Sequence, residues 1–260
     1  MQENRCYGQI DAQQINRVKM RKGQNIAGFP IGIIYIEDVY YPMLPGNIVN
    51  GYTFPFPVRL KAVEGLTIPD LFEAKEGVFD LILAACKELE REGCRAISSA
   101  CGFFGNYQDR IAAQIDLPVA ISSLVQLPWI ETILKPDQKI GVLTADQSSL
   151  SKKLLASCNI SEALQDKLII KDLRNELEFS CILESRGEFD NEVVCAEVVS
   201  KAMEILAEDP KTGAILLECS DMPPYAYAVA ANTGLPVFDF TTLIKWMQNA
   251  VCQTKYHGFI

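Results

Sequence analysis

Two cysteines stand at matching places in this chain of 260 residues. Setting AISSACGFFGNYQDRIAAQIDLPV (96–119) over AILLECSDMPPYAYAVAANTGLPV (214–237) pairs Cys101 with Cys219, Tyr107 with Tyr225 and Leu117-Pro118-Val119 with Leu235-Pro236-Val237, without a gap. Each cysteine lies 17 residues before its proline. A gapless thiol-to-proline spacing is harder to obtain than shared strand composition, so it reads as an internal repeat. Each thiol follows an apolar run and precedes a helical stretch, which puts it at the carboxyl edge of a parallel strand, where such sheets bind ligands. Amides at the start of a helix favour the thiolate there. Two thiols facing one cleft repel as thiolates and so settle as one thiolate and one thiol. That state suits taking a proton from one face of a carbon and returning one to the other, provided the sulfurs are held too far apart to join. The lone His257, near the C-terminus, leaves no imidazole for a Ser-His-Asp or Cys-His arrangement.

The elements that must position these thiols alternate strand and helix, as in a parallel α/β fold. The strand candidates are 31–36, 58–65, 94–100 and 118–123, then 139–145, 167–173, 213–218 and 236–240. IGII (31–34) and IGVL (140–143) open the two halves. In GVFDLILAACKELEREG the apolar residues Val78, Leu81, Ile82, Ala85, Cys86 and Leu89 recur at helical steps, and in FDNEVVCAEVVSKAMEIL so do Cys195, Val199, Ala202 and Leu206. Cys86 and Cys195 are therefore expected in the core. The reading is two pseudo-symmetric three-layer α/β lobes with mostly parallel four-stranded sheets, 27–137 and 138–240, and a C-terminal helix within 241–260 packing back on the first.

Composition narrows the function. With 49% hydrophobic and 22% charged residues the chain is globular, and a net charge of −9 without a basic face argues against nucleic acid. The N-terminal 25 residues are polar and no apolar run approaches bilayer length, so no membrane association and a cytoplasmic location are expected. Nine cysteines at scattered spacings, with no CxxC pair, are expected to be reduced and to bind no metal. CGFFGN is too short for a dinucleotide fingerprint.

Cys101 after ISSA, Cys219 in LLECSDMPPYA and the duplicated halves resemble the aspartate/glutamate racemase superfamily, which includes hydantoin racemases, maleate isomerases and arylmalonate decarboxylases. The resemblance runs from about GFPIGIIYIED to TTLIKWM. It implies cofactor-independent chemistry at Cα of a small carboxylate, with Cys101 and Cys219 as alternating base and acid. It also maps the polar residue after the first strand of each half onto Asp38 and Thr144. Gly102-Phe103 and Ser220-Asp221 stand where amino-acid racemases of this group often carry Asn-Thr and Thr-Glu or Thr-His, so aspartate or glutamate specificity does not transfer.

Around the thiols, Gly102, Phe103 and Ser220 become expected substrate contacts. YYPMLPGNIVNGYTFPFPV (40–58) reads either as a loop over the substrate, with Asn47 and Asn50 as polar contacts, or as a rigid connector. Ser98 and Ser99 read as structural hydroxyls. The function expected is a cofactor-independent racemase or epimerase of an amino acid or related small carboxylate. The alternatives are a decarboxylase or cis-trans isomerase of the same superfamily, or a non-catalytic binder of small acids. The oligomeric state stays open, a homodimer included.

Overall fold

The repeat seen in the sequence holds down to the pairing of individual residues. In the computed structural model, which describes residues 7–14, 17 and 19–260, β1 (Ile31–Tyr35), β2 (Val58–Ala62), β3 (Ala96–Ser99) and β4 (Val119–Ala120) form one sheet in the order β2-β1-β3-β4. A second sheet, ordered β6-β5-β7-β8, contains β5 (Lys139–Thr144), β6 (Leu168–Asp172), β7 (Thr212–Leu217) and β8 (Val237–Phe238). Every pairing is parallel. Gly32 pairs with Ile97 and Ile97 with Val119; equivalently, Gly141 pairs with Ile215 and Ile215 with Val237. Residues 1–6, 15, 16 and 18 of the polar N-terminal stretch, Cys6 among them, lie outside the described residues.

The matched glycines let a crossover helix lie close to each sheet. A Cβ on Gly32 would stand 2.8 Å from Leu89 in α2 (Val78–Arg91), and one on Gly141 would stand 2.6 Å from Ile215 and 2.7 Å from Ile205. The smaller helices are α1 (Ile68–Phe72), α3 (Gln108–Ala112), α4 (Leu127–Ile133), α5 (Lys152–Ser157), α6 (Glu162–Gln165) and α7 (Phe179–Leu183). The second half adds α8 (Asn191–Glu208), which carries Ile205, then α9 (Ala226–Thr233), and the chain closes with α10 (Phe240–Val251).

On α2 the expected stripe is buried except for Leu81, which is exposed. On α8 the buried face is turned by a residue, to Val194, Val198, Ala202 and Ile205, leaving Cys195, Val199 and Leu206 half-buried. Glu197 lies on that inward side because its carboxylate accepts the Glu178 and Phe179 amides, at 2.9 and 2.8 Å, where α7 begins. Hydrophobic periodicity cannot register an inward-facing cap of this kind.

Parallel sheets need both faces covered. Phe240, Leu243, Ile244 and Met247 of α10 pack against Ile31, Ile33 and Ala96 of the first sheet, opposite the α2 side. Asp239 starts α10 with a capping box, accepting the Thr242 amide at 2.7 Å while its own amide donates to the Thr242 hydroxyl at 2.9 Å. The main core is continuous across both sheets, joining Ile34, Phe104 and Tyr107 to Val142, Leu154 and Leu216. Among the described residues no helix is long and apolar enough to cross a membrane.

Candidate active site

Both cysteines leave the carboxyl ends of equivalent strands and line one cleft between the sheets. Cys101 follows β3 and, in extended backbone, opens the 3-10 turn Gly102–Tyr107. Ser99 fixes that turn, its hydroxyl donating to the carbonyls of Cys101 at 3.0 Å and Ile121 at 2.7 Å. Ser98 donates to the Ala120 carbonyl at 2.8 Å, so both serines are structural. Burial pushes the Cys101 thiol well up and nearby Glu218 pushes it further, while the amides of Phe103 and Phe104 offset part of the rise.

Cys219 has a different neighbour. Its Sγ donates to Oδ2 of Asp221 at 3.4 Å. Asn47 donates through Nδ2 to the other oxygen of that carboxylate, and the Tyr41 hydroxyl is directed at it too. Burial raises Asp221, and these three donors bring it part of the way back. Burial, then Asp221 and Glu218, push the Cys219 thiol well up. Cys219 and Asp221 are thus in direct contact, and a charge on Asp221 opposes a thiolate on Cys219.

At the floor of the cleft lies Glu218, fully buried just past β7. Its Oε2 accepts from the Thr144 hydroxyl at 2.9 Å, and its Oε1 is buried with no partner. Burial is the main reason its carboxyl is pushed up to about 7. Gly102 makes room for it: a Cβ there would lie 1.7 Å from Oε1.

Loop 40–57 spans the cleft from the first sheet to the second. The Gly187 amide donates to the Tyr40 carbonyl at 2.9 Å, and Gly46, at φ +106°, lies where a Cβ would be 2.9 Å from Pro224. The structure brings Cys101, Cys219, Asn47, Gly102, Phe103 and Ser220 to the cleft. Thr144 sits one layer below, on Glu218, and Asp38 is exposed and not among the lining residues, although the adjacent Val39 is. Asn50 stays within its loop, donating to the Met43 carbonyl at 2.8 Å. Sequence reasoning missed Tyr41, Glu218 and Asp221 as site groups. A carboxylate closing the wholly apolar run AILL was the available signal for Glu218, and Asp221 stood visibly two residues past a candidate thiol. Among the described residues there is no group of three or more His, Cys, Asp or Glu that could hold a metal.

The fold is that of the aspartate/glutamate racemase superfamily. Allantoin racemase from Klebsiella pneumoniae superposes with a TM-score of 0.60 at 14% identity, over 85% of this chain and 87% of that one. Unliganded arylmalonate decarboxylase gives 0.52 at 15%, over 85% and 91%, and Picrophilus torridus aspartate racemase 0.50 at 17%, over 85% and 94%. No protein-family model matches the chain. Its sequence is 32% identical to a dimethylsulfoniopropionate lyase of Durusdinium sp. clade D over 227 residues, covering 84% of this chain and 73% of the relative. It is 33% identical to dimethylsulfoniopropionate lyase 7 of Emiliania huxleyi over 227 residues, covering 82% of this chain but 64% of that longer protein. The chain belongs to the dimethylsulfoniopropionate lyase family. That overturns the expected isomerase: the relatives are lyases, so the racemase or epimerase reading is withdrawn. The alternative reading, which included a decarboxylase and therefore a lyase, was nearer.

Proposed function

We propose that the chain eliminates dimethyl sulfide from dimethylsulfoniopropionate, leaving acrylate. The observation that carries this reading is the charge of the cleft. Among the described residues that line it there is no Lys, Arg or His, while Glu218 and Asp221 are both present. Such a site repels simple dicarboxylates and attracts a cation. The walls add the aromatic rings of Tyr35, Tyr41, Phe72 and Phe103, whose faces favour a sulfonium. A substrate that is a cation at one end and a carboxylate at the other then has one anchor in the rings and acidic groups. Its other anchor is the Ser220 hydroxyl and the amides of the two cysteine turns.

The chemistry needs one base. A thiolate takes a proton from the carbon beside the carboxylate, the C–H electron pair becomes the C=C bond, and the C–S pair leaves with the sulfur as neutral dimethyl sulfide. Cys219 is the better-equipped base, because its thiol donates to Asp221, which Asn47 and Tyr41 orient, and a thiol raised in this way is the stronger base once ionised. A bound sulfonium would stabilise the single negative charge that this pair shares. Cys101 keeps its proton on the opposite wall. Unequal partners for the two thiols fit an elimination, which moves one proton, better than exchange between mirror-image substrates.

Purified protein incubated with dimethylsulfoniopropionate tests the reading. Dimethyl sulfide in the headspace and acrylate in solution should appear in equal amounts, with no carbon dioxide released from arylmalonates. Absence of both products above the buffer rate contradicts it.

A further inference from the structure

The mechanism above gives no task to the one fully buried carboxylate at the site. Glu218 is wedged where the two halves meet. Its amide donates to the Leu143 carbonyl at 2.7 Å, its carbonyl accepts the Ser123 hydroxyl at 3.0 Å and its Oε2 takes the Thr144 hydroxyl. The remaining oxygen, Oε1, has no donor and abuts Gly102, the residue after Cys101. A buried carboxylate oxygen left unpaired is costly, so a purely structural residue here would be an amide or an apolar group.

We infer that Glu218 is a positioning residue that holds Cys101 in the thiol form, leaving Cys219 and Asp221 as the base. Oε1 lies against the Cys101 turn with no bound proton donor to quench its charge, so an ionised Glu218 opposes a second negative charge on Cys101. When Glu218 is neutral that opposition is gone. The other titratable groups around it are Asp146 beyond β5, Cys219 and Asp221 beyond β7, and Cys158 beyond α5. Asp146 and Asp221 push Glu218 itself toward the neutral form, and Asp221 also opposes a negative charge on Cys101. The role in turnover rests on the lyase reading, but the protonation of Cys101 is measured without it.

The test is the rate at which iodoacetamide alkylates each cysteine, resolved by peptide mass mapping between pH 6 and 9. Glu218→Gln should raise the Cys101 rate above pH 7 by about tenfold, one pKa unit of thiolate, and raise the Cys219 rate by less, because burial and Asp221 both outweigh Glu218 there. Thr144→Val removes one of the two donors that favour the ionised carboxylate, the Ala145 amide being the other, so it should raise Cys101 reactivity near pH 7.5 and rejoin the parent protein at pH 9. This second variant keeps the carboxylate and serves if Glu218→Gln fails to fold. An unchanged Cys101 profile in the folded variants overturns the inference, as does an equal gain at Cys219, which would mean that Glu218 does not distinguish the two thiols. Loss of the lyase reading would show separately, as a parent protein that releases no dimethyl sulfide.

Discussion

Replacing Glu218 by Gln should make the protein more stable at pH 8 than at pH 5, relative to the parent. The side chain keeps its size and can still accept from Thr144, so the main change is loss of the ionisable carboxyl. Burial pushes that carboxyl up to about 7 in the folded protein, against an ordinary value of 4.5. An acid raised by folding contributes stability below its unfolded value and loses it as pH climbs through the folded one. The parent therefore weakens between about pH 4.5 and pH 7, whereas Gln does not titrate. At 1.36 kcal/mol per pKa unit, the difference between pH 5 and pH 8 comes to about 2 to 3 kcal/mol in favour of the variant. Urea unfolding of both proteins at pH 5, 6, 7 and 8 measures it, with the slopes checked for constancy. A stability difference that stays flat across this range refutes a buried, raised carboxyl at 218. One that grows in the opposite direction would mean that Glu218 is held ionised by a partner.

Asp221→Asn removes the acceptor for the Cys219 proton while leaving the Asn47 side of the site in place, and dimethyl sulfide release should fall about 10²–10⁴-fold, the usual worth of an acid–base group. Gly102→Ala forces a Cβ onto Glu218, so urea unfolding should show a loss of about 1–3 kcal/mol, together with displacement of the Cys101 turn and loss of activity. Gly141→Ala, far from the chemistry, should cost a similar amount by pushing α8 off the second sheet, with the activity per folded molecule unchanged.

The fold was legible because strands and crossover helices imprint their periods on the chain, and all eight strand candidates overlap observed strands. The repeat was legible for a further reason: Gly32 and Gly141 are fixed by helix approach, and the two thiol turns by the ends of equivalent strands. Periodicity went wrong by one residue on α8, where the inward Glu197 caps another helix. The site was half legible. Cys101, Cys219, Asn47 and the residues beside the thiols could be named from spacing and loop position. Asp221 acts through a contact with Asn47, 174 residues away in sequence, which no local pattern reports. Asp38 was placed by analogy with the superfamily and stands outside the cleft. Reaction type was the least legible, since the same pair of thiols serves one proton transfer or two. The proposed choice of one transfer rests on the unequal partners of the two thiols, and those depend on which side chains the folded loops bring together.

Dimethyl sulfide evolution by the parent protein and by Cys219→Ala, assayed side by side on dimethylsulfoniopropionate, tests the account most directly. The parent should release it together with an equal amount of acrylate, and the variant should fall about 10²–10⁴-fold while unfolding in urea within about 1 kcal/mol of the parent. A folded Cys219→Ala protein that still released dimethyl sulfide at the parent rate would contradict the assignment of the base.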